Sequence, residues 1–298
     1  MADHPSVLLI HPIGVGLSCR FWDRFIQAWH KQQGAATDDL ASDLQAPDLL
    51  GCGDAPQPAR PLGPEDWAAP LITQLRQGAQ GSIVLVSQGS SLPIALKILE
   101  AVPDRVAGLI AISPPGWRVL SEPFDQSRAH QLWRVLFSGP LGTLFYLWAR
   151  RRAFLKSFSE KNLFARPEDV DAEWLETLER GSRPLSSRWA VFSFLAGFWR
   201  QNWEPILMDL SIPVLVVHGT TATGIGRSKR WDDADERVAT YAEKMPSATI
   251  RLVEGRNVLP YESSHDCVRC VREWFEAQSW SASAPSKPLT AAESHDVD

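Results

Sequence analysis

Short apolar runs alternate along the chain with longer segments in which apolar residues recur every three or four positions. The runs that read as strands are rich in Val, Ile and Leu, and they cover 7–10, 83–86, 108–112, 213–217 and 249–253, with a weaker sixth run at 44–50. The segments with helical periodicity cover 20–30, 64–76, 91–101, 232–245 and 265–277. Because strands that alternate with amphipathic helices build βαβ units, the pattern predicts an α/β fold: a mostly parallel sheet of about six strands with helices on both faces.

The strand pattern stops between residues 117 and 205, where a helical stretch rich in aromatic residues and arginine takes its place. We interpret this stretch as a helical cap inserted into one α/β domain, whose two parts are residues 1–116 and 206–277. Residues 278–298 are dominated by Ser, Ala, Pro, Thr and acidic residues, which bury too little apolar surface to fold, so we predict a disordered tail.

Charge and hydropathy exclude several functions. A formal net charge of -5 gives no general attraction to nucleic acid or to an anionic membrane. No signal-peptide pattern is visible at the start of the sequence, and the longest apolar stretch, 132–149, is interrupted by Arg134 and Pro140 and falls short of the ~20 residues of a spanning helix. These observations predict a cytoplasmic protein without a transmembrane segment.

The cysteines offer one candidate for metal or redox chemistry. Cys267 and Cys270 form a C-x-x-C sequence, but they share one face of a predicted helix, and no second pair of metal ligands lies near them. We interpret them as packed thiols and predict no metal. Gly14 and Gly16 lack the third glycine and the acidic residue of a dinucleotide site, and no phosphate-binding loop is present, so we predict no cofactor.

Three loops in the first half of the chain resemble those of the α/β-hydrolase superfamily. The sequence His11-Pro-Ile-Gly-Val-Gly16 is similar to the H-G-x-G oxyanion loop after the first strand. Asp48-Leu-Leu-Gly-Cys-Gly-Asp54 is similar to the D-x-x-G-x-G turn, and 83–96 has the strand, turn and helix of a nucleophile elbow.

Two segments in the second half resemble the same superfamily. Residues 213–219 end in His-Gly, like the strand before the catalytic acid, and 255–260 resemble the turn that carries the catalytic histidine. The order of these pieces implies an α/β-hydrolase fold over residues 6–276, with the usual N-terminal antiparallel hairpin absent.

The resemblance places the catalytic triad at three residues that cannot perform its chemistry. The nucleophile slot is Gly89, the acid slot is Ala222 and the histidine slot is Val258. A triad needs an attacking oxygen, a general base and a group that orients the base, and these three side chains supply none of them. The resemblance also implies an oxyanion-type pocket around His11, Ile13 and Ser90. We therefore interpret the chain as a pseudoenzyme that binds a small apolar molecule under the cap.

Two alternatives remain open. In the first, Ser87 and His265 replace the missing nucleophile and base in an active esterase or acyltransferase through movement of loops. Asp232 and Asp233 are interpreted as carboxylates at a helix start, stabilised by the helix dipole, rather than as a relocated catalytic acid. In the second, the aromatic cap is the interface of a protein–protein scaffold.

Arg150, Arg151 and Arg152 follow an apolar run and have two interpretations. They form either a basic edge that contacts lipid headgroups or an acidic group on the ligand, or a solvated helix end where cations offset the helix dipole.

Overall fold

The computed structural model describes residues 4–32, 44–78, 81–225 and 232–280. Within these ranges, six strands form one sheet in the order β2-β1-β3-β4-β5-β6, and every neighbouring pair is parallel. The strands are β1 (Ser6–Ile10), β2 (Leu44–Gln45), β3 (Ile83–Gln88), β4 (Val106–Ile112), β5 (Val214–Gly219) and β6 (Thr249–Val253). The predicted fold class is confirmed.

The α-helices of the described residues alternate with the strands and fill one long connection. They are α1 (Asp23–Lys31), α2 (Pro64–Gln77), α3 (Leu92–Ala101), α4 (Trp117–Ser121), α5 (Gln126–Leu132), α6 (Pro140–Ala149), α7 (Arg152–Asn162), α8 (Ala172–Gly181), α9 (Arg188–Ala196), α10 (Glu204–Met208), α11 (Ala234–Lys244), α12 (Leu259–Glu262) and α13 (Ser264–Glu276). A single π-helical turn, Trp133–Phe137, follows α5.

The sheet is covered on both faces, which explains its almost continuous apolar strands. Every residue of β3 is buried. Alternate residues such as Leu85 join a core cluster with α2, α3 and α11, while Val84 and Val86 join a second cluster with α1 and α13. A parallel strand that is buried on two faces has no polar face to show, so its sequence reads as an apolar run.

The weak sixth strand is shorter than the sequence predicts. Only Leu44–Gln45 pairs with β1, and the chain then leaves the sheet. Pro47 lacks a backbone N–H and cannot donate to a sheet ladder, which explains why the strand does not extend towards residue 50. The helix expected from residue 232 begins at Ala234, because the carboxylate of Asp233 caps it by accepting from the Glu236 N–H.

The connection between β4 and β5 contains helices α4 to α10 and no strand, and every residue of it is described. We call it the insertion. It has a small core of its own, which includes Trp133, Tyr146 and Phe192, and it is joined to the main core through Trp199 and Trp203. The bounds 117 and 205 of a separate cap stay a prediction.

The packed chain extends past the predicted domain end at residue 277. The Trp280 indole donates to the Phe275 carbonyl at 2.9 Å, and its ring contacts the rings of Trp274 and Phe275. The large apolar ring of Trp280 therefore packs on α13 although its neighbours in the sequence are mostly polar, and the disordered tail from residue 278 stays a prediction. Residues 281–298 lie outside the described part of the chain. In that described part, no helix is both long enough and apolar enough to cross a membrane.

Candidate functional site

The turn between β3 and α3 has the strand, turn and helix order that the sequence predicts for this segment. Gly89 has a φ of +58°, a left-handed value that glycine adopts without a steric penalty. The Ser91 hydroxyl fixes the turn by accepting from the Gln88 N–H at 3.1 Å and lying 3.1 Å from the Ile10 carbonyl oxygen. A Cβ at position 89 would have the Ser113 carbonyl oxygen, at 3.9 Å, as its nearest neighbour. The position is thus open, and no side chain fills it.

A cavity of about 1330 Å³ lies between this turn and the insertion. Gly89 and Ser90 line it from the sheet side, together with Ile13 from the loop after β1. Its aromatic wall comes from the insertion and consists of Trp117, Phe124, Phe145, Phe154, Phe158, Trp174, Phe194 and Trp199. A concave, mainly apolar space at the carboxyl edge of a parallel sheet is where α/β proteins bind small molecules.

The predicted acid and histidine positions are both buried and apolar. Val258 precedes α12, is 4% exposed and lines the cavity. Ala222 is 1% exposed and belongs to the loop after β5, where its N–H donates to the Gly219 carbonyl; its neighbour Thr223 lines the cavity instead. That these positions correspond to a triad stays a prediction. At all three, including Gly89, the side chain can neither attack a substrate nor carry a proton.

His11 supports the loop and does not line the cavity. Its Nδ1 lies 2.9 Å from the Pro12 carbonyl oxygen, and its Nε2 accepts from the Leu49 N–H at 3.0 Å. A carbonyl needs a proton on Nδ1 and an N–H needs a lone pair on Nε2, so both contacts together define one neutral tautomer. Burial lowers the pKa of His11, in agreement with this neutral form. Of the predicted oxyanion-type residues, Ile13 and Ser90 face the cavity.

Ser87 and His265 do not meet at the cavity. Ser87 lies within β3, paired in register with Ile10 and Ala111, and is 1% exposed; it is not among the cavity-lining residues. His265 is exposed on α13, and its carbonyl oxygen accepts from the Gln32 side chain at 2.8 Å. The geometry gives these two side chains no shared site.

The two acidic residues before α11 have different roles. Asp233 is the N-cap of the helix. Asp232 lines the cavity and forms a buried ion pair with Arg237, with contacts of 2.5 and 2.9 Å. Arg237 also donates to the Pro114 carbonyl at 3.2 Å. The Asp232 carboxylate is therefore engaged in a structural contact and is not oriented towards an imidazole.

Sequence reasoning missed two polar residues of the cavity wall. Gln88, which precedes Gly89, donates from Nε2 to the Asn257 carbonyl at 2.7 Å, while its Oε1 has no partner in the described structure. Ser113 follows β4 and is the one described non-glycine residue with a positive φ, of 46°. Its Oγ also has no partner in the described structure. The position of each residue next to a strand end was the available signal.

His218 and the cysteines carry titratable groups outside the cavity. Burial, with a smaller contribution from Arg237, lowers the pKa of His218 to about 3, so its imidazole is neutral at physiological pH. Cys267 is buried and Cys270 half-buried on α13; both are free thiols, and burial raises the pKa of Cys270 to about 11. No group of three or more His, Cys, Asp or Glu within the described ranges is placed to hold a metal ion.

Two of the three consecutive arginines contact the C-terminal end of α8 and the residues that follow it. Arg150 donates to the Ser182 and Arg183 carbonyls at 3.3 and 3.0 Å, and Arg152 pairs with Glu179 at 2.6 Å. Arg151 is exposed.

The sequence profile of the alpha/beta hydrolase family matches residues 7–271. The chain therefore belongs to this family, as the fold and the turn at Gly89 indicate. No curated protein matches the sequence.

Solved structures with the same fold are enzymes of several kinds. One is a thermophilic esterase from Thermogutta terrifontis, with a TM-score of 0.66, 19% identity, and coverage of 92% of this chain and 90% of that one. A variant of the haloalkane dehalogenase DatA from Agrobacterium tumefaciens C58 has a TM-score of 0.66, 16% identity, and coverage of 93% and 91%. A bromoperoxidase from Bacillus anthracis has a TM-score of 0.64, 17% identity, and coverage of 92% of each chain. At these identities the likeness concerns the fold.

Proposed function

We propose that this alpha/beta hydrolase family member binds a small, apolar molecule in its cavity and does not hydrolyse it. The observation that carries the proposal is a cavity of about 1330 Å³ whose wall includes a left-handed turn at Gly89 without a side chain. This observation supports a protein that has a binding cavity but no attacking group at the position where the resemblance to hydrolases places one.

The cavity walls support an apolar ligand. Ligand pockets of drug-sized molecules have volumes of ~300–1,000 Å³ and bury most of the ligand against apolar and aromatic side chains. The charged residues in the wall are largely engaged with one another: Asp232 pairs with Arg237, and Glu204 with Lys244 at 3.3 Å. A ligand therefore meets aromatic surface and few uncompensated charges.

The side chains at the turn argue against hydrolysis. Loss of the serine or histidine of a triad lowers turnover about 10⁶-fold, because the remaining groups only bind and polarise the substrate. Here the position predicted for the serine is Gly89 and the position predicted for the histidine is Val258, so neither an attacking oxygen nor a general base is present. Membership of a hydrolase family favours the alternative of an active enzyme, but Ser87 is enclosed in the sheet and His265 is exposed on α13.

A fluorophosphonate probe tests for residual hydrolase chemistry, because it labels any activated serine. We expect no labelling of the native protein. Labelling that disappears in Ser87→Ala would contradict the proposal, and labelling that persists in Ser87→Ala would point to another active serine and contradict it equally.

Ligand binding is tested with N-phenyl-1-naphthylamine, an uncharged apolar fluorophore whose emission rises in an apolar pocket. We expect saturable binding that weakens at least about tenfold in Leu195→Asp, which puts a charge into the cavity wall. Leu185→Asp is the matched control, since Leu185 is also exposed in the insertion but does not line the cavity. Native mass spectrometry of protein purified from its host would show a retained small molecule, whereas a co-purified chain would support a scaffold.

We also propose a peripheral contact with anionic membranes through α6 and the arginines that follow it. The exposed face of α6 consists of Leu141, Leu144, Phe145 and Trp148, which have the i, i+3, i+4, i+7 spacing of one helical stripe. Phe145 lies both on this face and in the cavity wall. An apolar stripe beside a cationic edge suits an anionic lipid surface and would bring apolar ligands to the cavity. A cytoplasmic location stays a prediction.

A further inference from the structure

Two buried polar atoms in the cavity wall have no partner in the described structure. They are Oε1 of Gln88, which is 2% exposed, and Oγ of Ser113, which is 5% exposed. Both residues line the cavity. A buried polar atom without a hydrogen bond destabilises the fold, and in native proteins such an atom often forms its hydrogen bond with a ligand or a bound water.

The contact of Gln88 with Asn257 fixes which atom of the amide is available. Nε2 of Gln88 lies 2.7 Å from the Asn257 carbonyl oxygen, and that oxygen can only accept. The NH₂ group must therefore face Asn257, and the amide oxygen is left without a partner. The free atom at this side of the turn is an acceptor that needs a donor.

Ser113 lies on the other side of the same turn. Its N–H donates to the Val217 carbonyl at 2.7 Å, which holds the residue at its positive φ. Its carbonyl oxygen is 3.9 Å from the point where a Cβ of Gly89 would stand. The hydroxyl can donate or accept, so Gln88 and Ser113 form a pair of uncharged anchors that flank Gly89.

We infer that the ligand is an apolar molecule with a hydroxyl group at one end, which donates to Gln88 Oε1 and pairs with Ser113 Oγ. This inference rests on the proposed function, because it assigns the polar end of the ligand in the same cavity. A carboxylate does not fit, since it has no proton to donate and would place a negative charge against the Gln88 oxygen. An ether of the same size does not fit either, because it only accepts.

Two isomers test the inference directly. 1-Decanol and methyl nonyl ether have the same atoms and a similar apolar body, but only the alcohol can donate. We expect 1-decanol to displace N-phenyl-1-naphthylamine with a Kd about tenfold lower than that of the ether, and with a Kd lower than that of decanoate. A tenfold change corresponds to about 1.4 kcal/mol.

Two serines provide a matched pair of variants. Oγ of Ser113 and Oγ of Ser87 are both buried without a partner in the described structure, but only Ser113 lines the cavity. We expect Ser113→Ala to reduce the preference for the alcohol to less than about threefold and Ser87→Ala to leave it unchanged. Gln88→Met, which keeps the length of the side chain and removes the acceptor, should reduce the preference as well.

The outcomes separate this inference from the proposed function. Equal binding of the two isomers, tighter binding of decanoate, or the same loss of preference in Ser87→Ala as in Ser113→Ala would overturn the hydroxyl anchor, while binding in the cavity would stand. If neither the fluorophore nor any decyl probe binds, both are refuted. Should Gln88→Met fail to fold, the comparison of the two serine variants still decides.

Discussion

At the scale of single residues, Gly89 and Gly16 show that a positive φ and available space are separate constraints. Both have left-handed backbones, with φ values of 58° and 78°. A Cβ at Gly89 meets only the Ser113 carbonyl oxygen at van der Waals distance, whereas a Cβ at Gly16 would collide with the Leu178 backbone. The two glycines should therefore respond differently to the same substitution.

We predict that Gly89→Ser folds with a loss of about 1–2 kcal/mol, the cost of a left-handed non-glycine residue. Gly16→Ser should lose at least about 3 kcal/mol, because steric overlap with backbone adds to that cost. Urea denaturation measures both. Gly89→Ser should still fail to react with a fluorophosphonate, since Val258 provides no base. Equal losses in the two variants would show that the space at Gly89 is not available.

His218 predicts a pH dependence of stability. Its pKa is about 3 in the folded protein and 6.5 in the reference state. The unfolded chain therefore binds a proton that the folded protein excludes. The contribution of His218 to the free energy of unfolding is fully present above about pH 6.5. It is lost as the pH falls towards 3, by up to about 1.4 kcal/mol per pH unit.

The measurement is urea denaturation between pH 7 and pH 4 for the native protein, His218→Leu and the control His265→Gln. The slope of the native protein should exceed that of His218→Leu and match that of His265→Gln, whose imidazole is exposed in the native fold. Equal slopes for all three proteins would show that His218 takes up a proton in the folded protein as readily as in the unfolded chain.

At the scale of elements, α6 shows an unusual distribution of apolar residues. Gly142, Tyr146 and Ala149 are buried, while the opposite face is apolar and exposed. An apolar helix with one uncovered face usually marks an interaction surface.

We predict that the protein floats with vesicles containing phosphatidylserine and not with phosphatidylcholine alone. The double variant Leu141→Ser, Leu144→Ser and the variant Arg151→Ala should each reduce the bound fraction at least about threefold. Arg151 is preferable to its neighbours, because Arg150 and Arg152 also hold the insertion together. Leu252→Ser, at an exposed leucine of β6, is the control. Absence of flotation with dimerisation in solution would assign this face to a second copy of the chain.

The elements were largely predictable, and the polar anchors of the site were not. Five apolar runs form strands and five periodic segments form helices. A strand buried on two faces reads as an apolar run and a helix buried on one face reads as a periodic pattern, so both leave a direct signal in the sequence. The position of Gly89 followed from strand, turn and helix signals. The unpartnered oxygen of Gln88 depends on a contact with Asn257 far along the chain, and the φ of Ser113 depends on β5, so neither is a local property of the sequence.

At the scale of the whole molecule, the packed part of the described chain includes Trp280, past the predicted domain end at residue 277. Its ring contacts α13, and its indole N–H is satisfied by the Phe275 carbonyl. It also lies against Gly108 of β4, where an added Cβ would approach the Trp280 ring at 3.2 Å. The last described residue thus links the final helix to the central sheet.

We predict that a chain ending after Trp280 keeps the stability of the full sequence, while one ending after Gln278 loses about 2 kcal/mol through exposure of the apolar surface under the ring. Thermal denaturation of the two truncated chains measures this, with Trp280→Phe as an intermediate that keeps a ring and loses the N–H. Identical stabilities for both truncations would mean that the Trp280 contact contributes nothing.

The open left-handed turn has a practical consequence. A cysteine at position 89 would place a reactive thiol on the floor of the cavity, where the chain now has only backbone. The native thiols would compete poorly for a maleimide, because Cys52 and Cys267 are buried and burial raises the pKa of Cys19 to about 12 and that of Cys270 to about 11. Gly89→Cys would therefore allow a fluorescent reporter to be tethered at one defined point, so that the arrival of each candidate ligand could be watched from inside the protein.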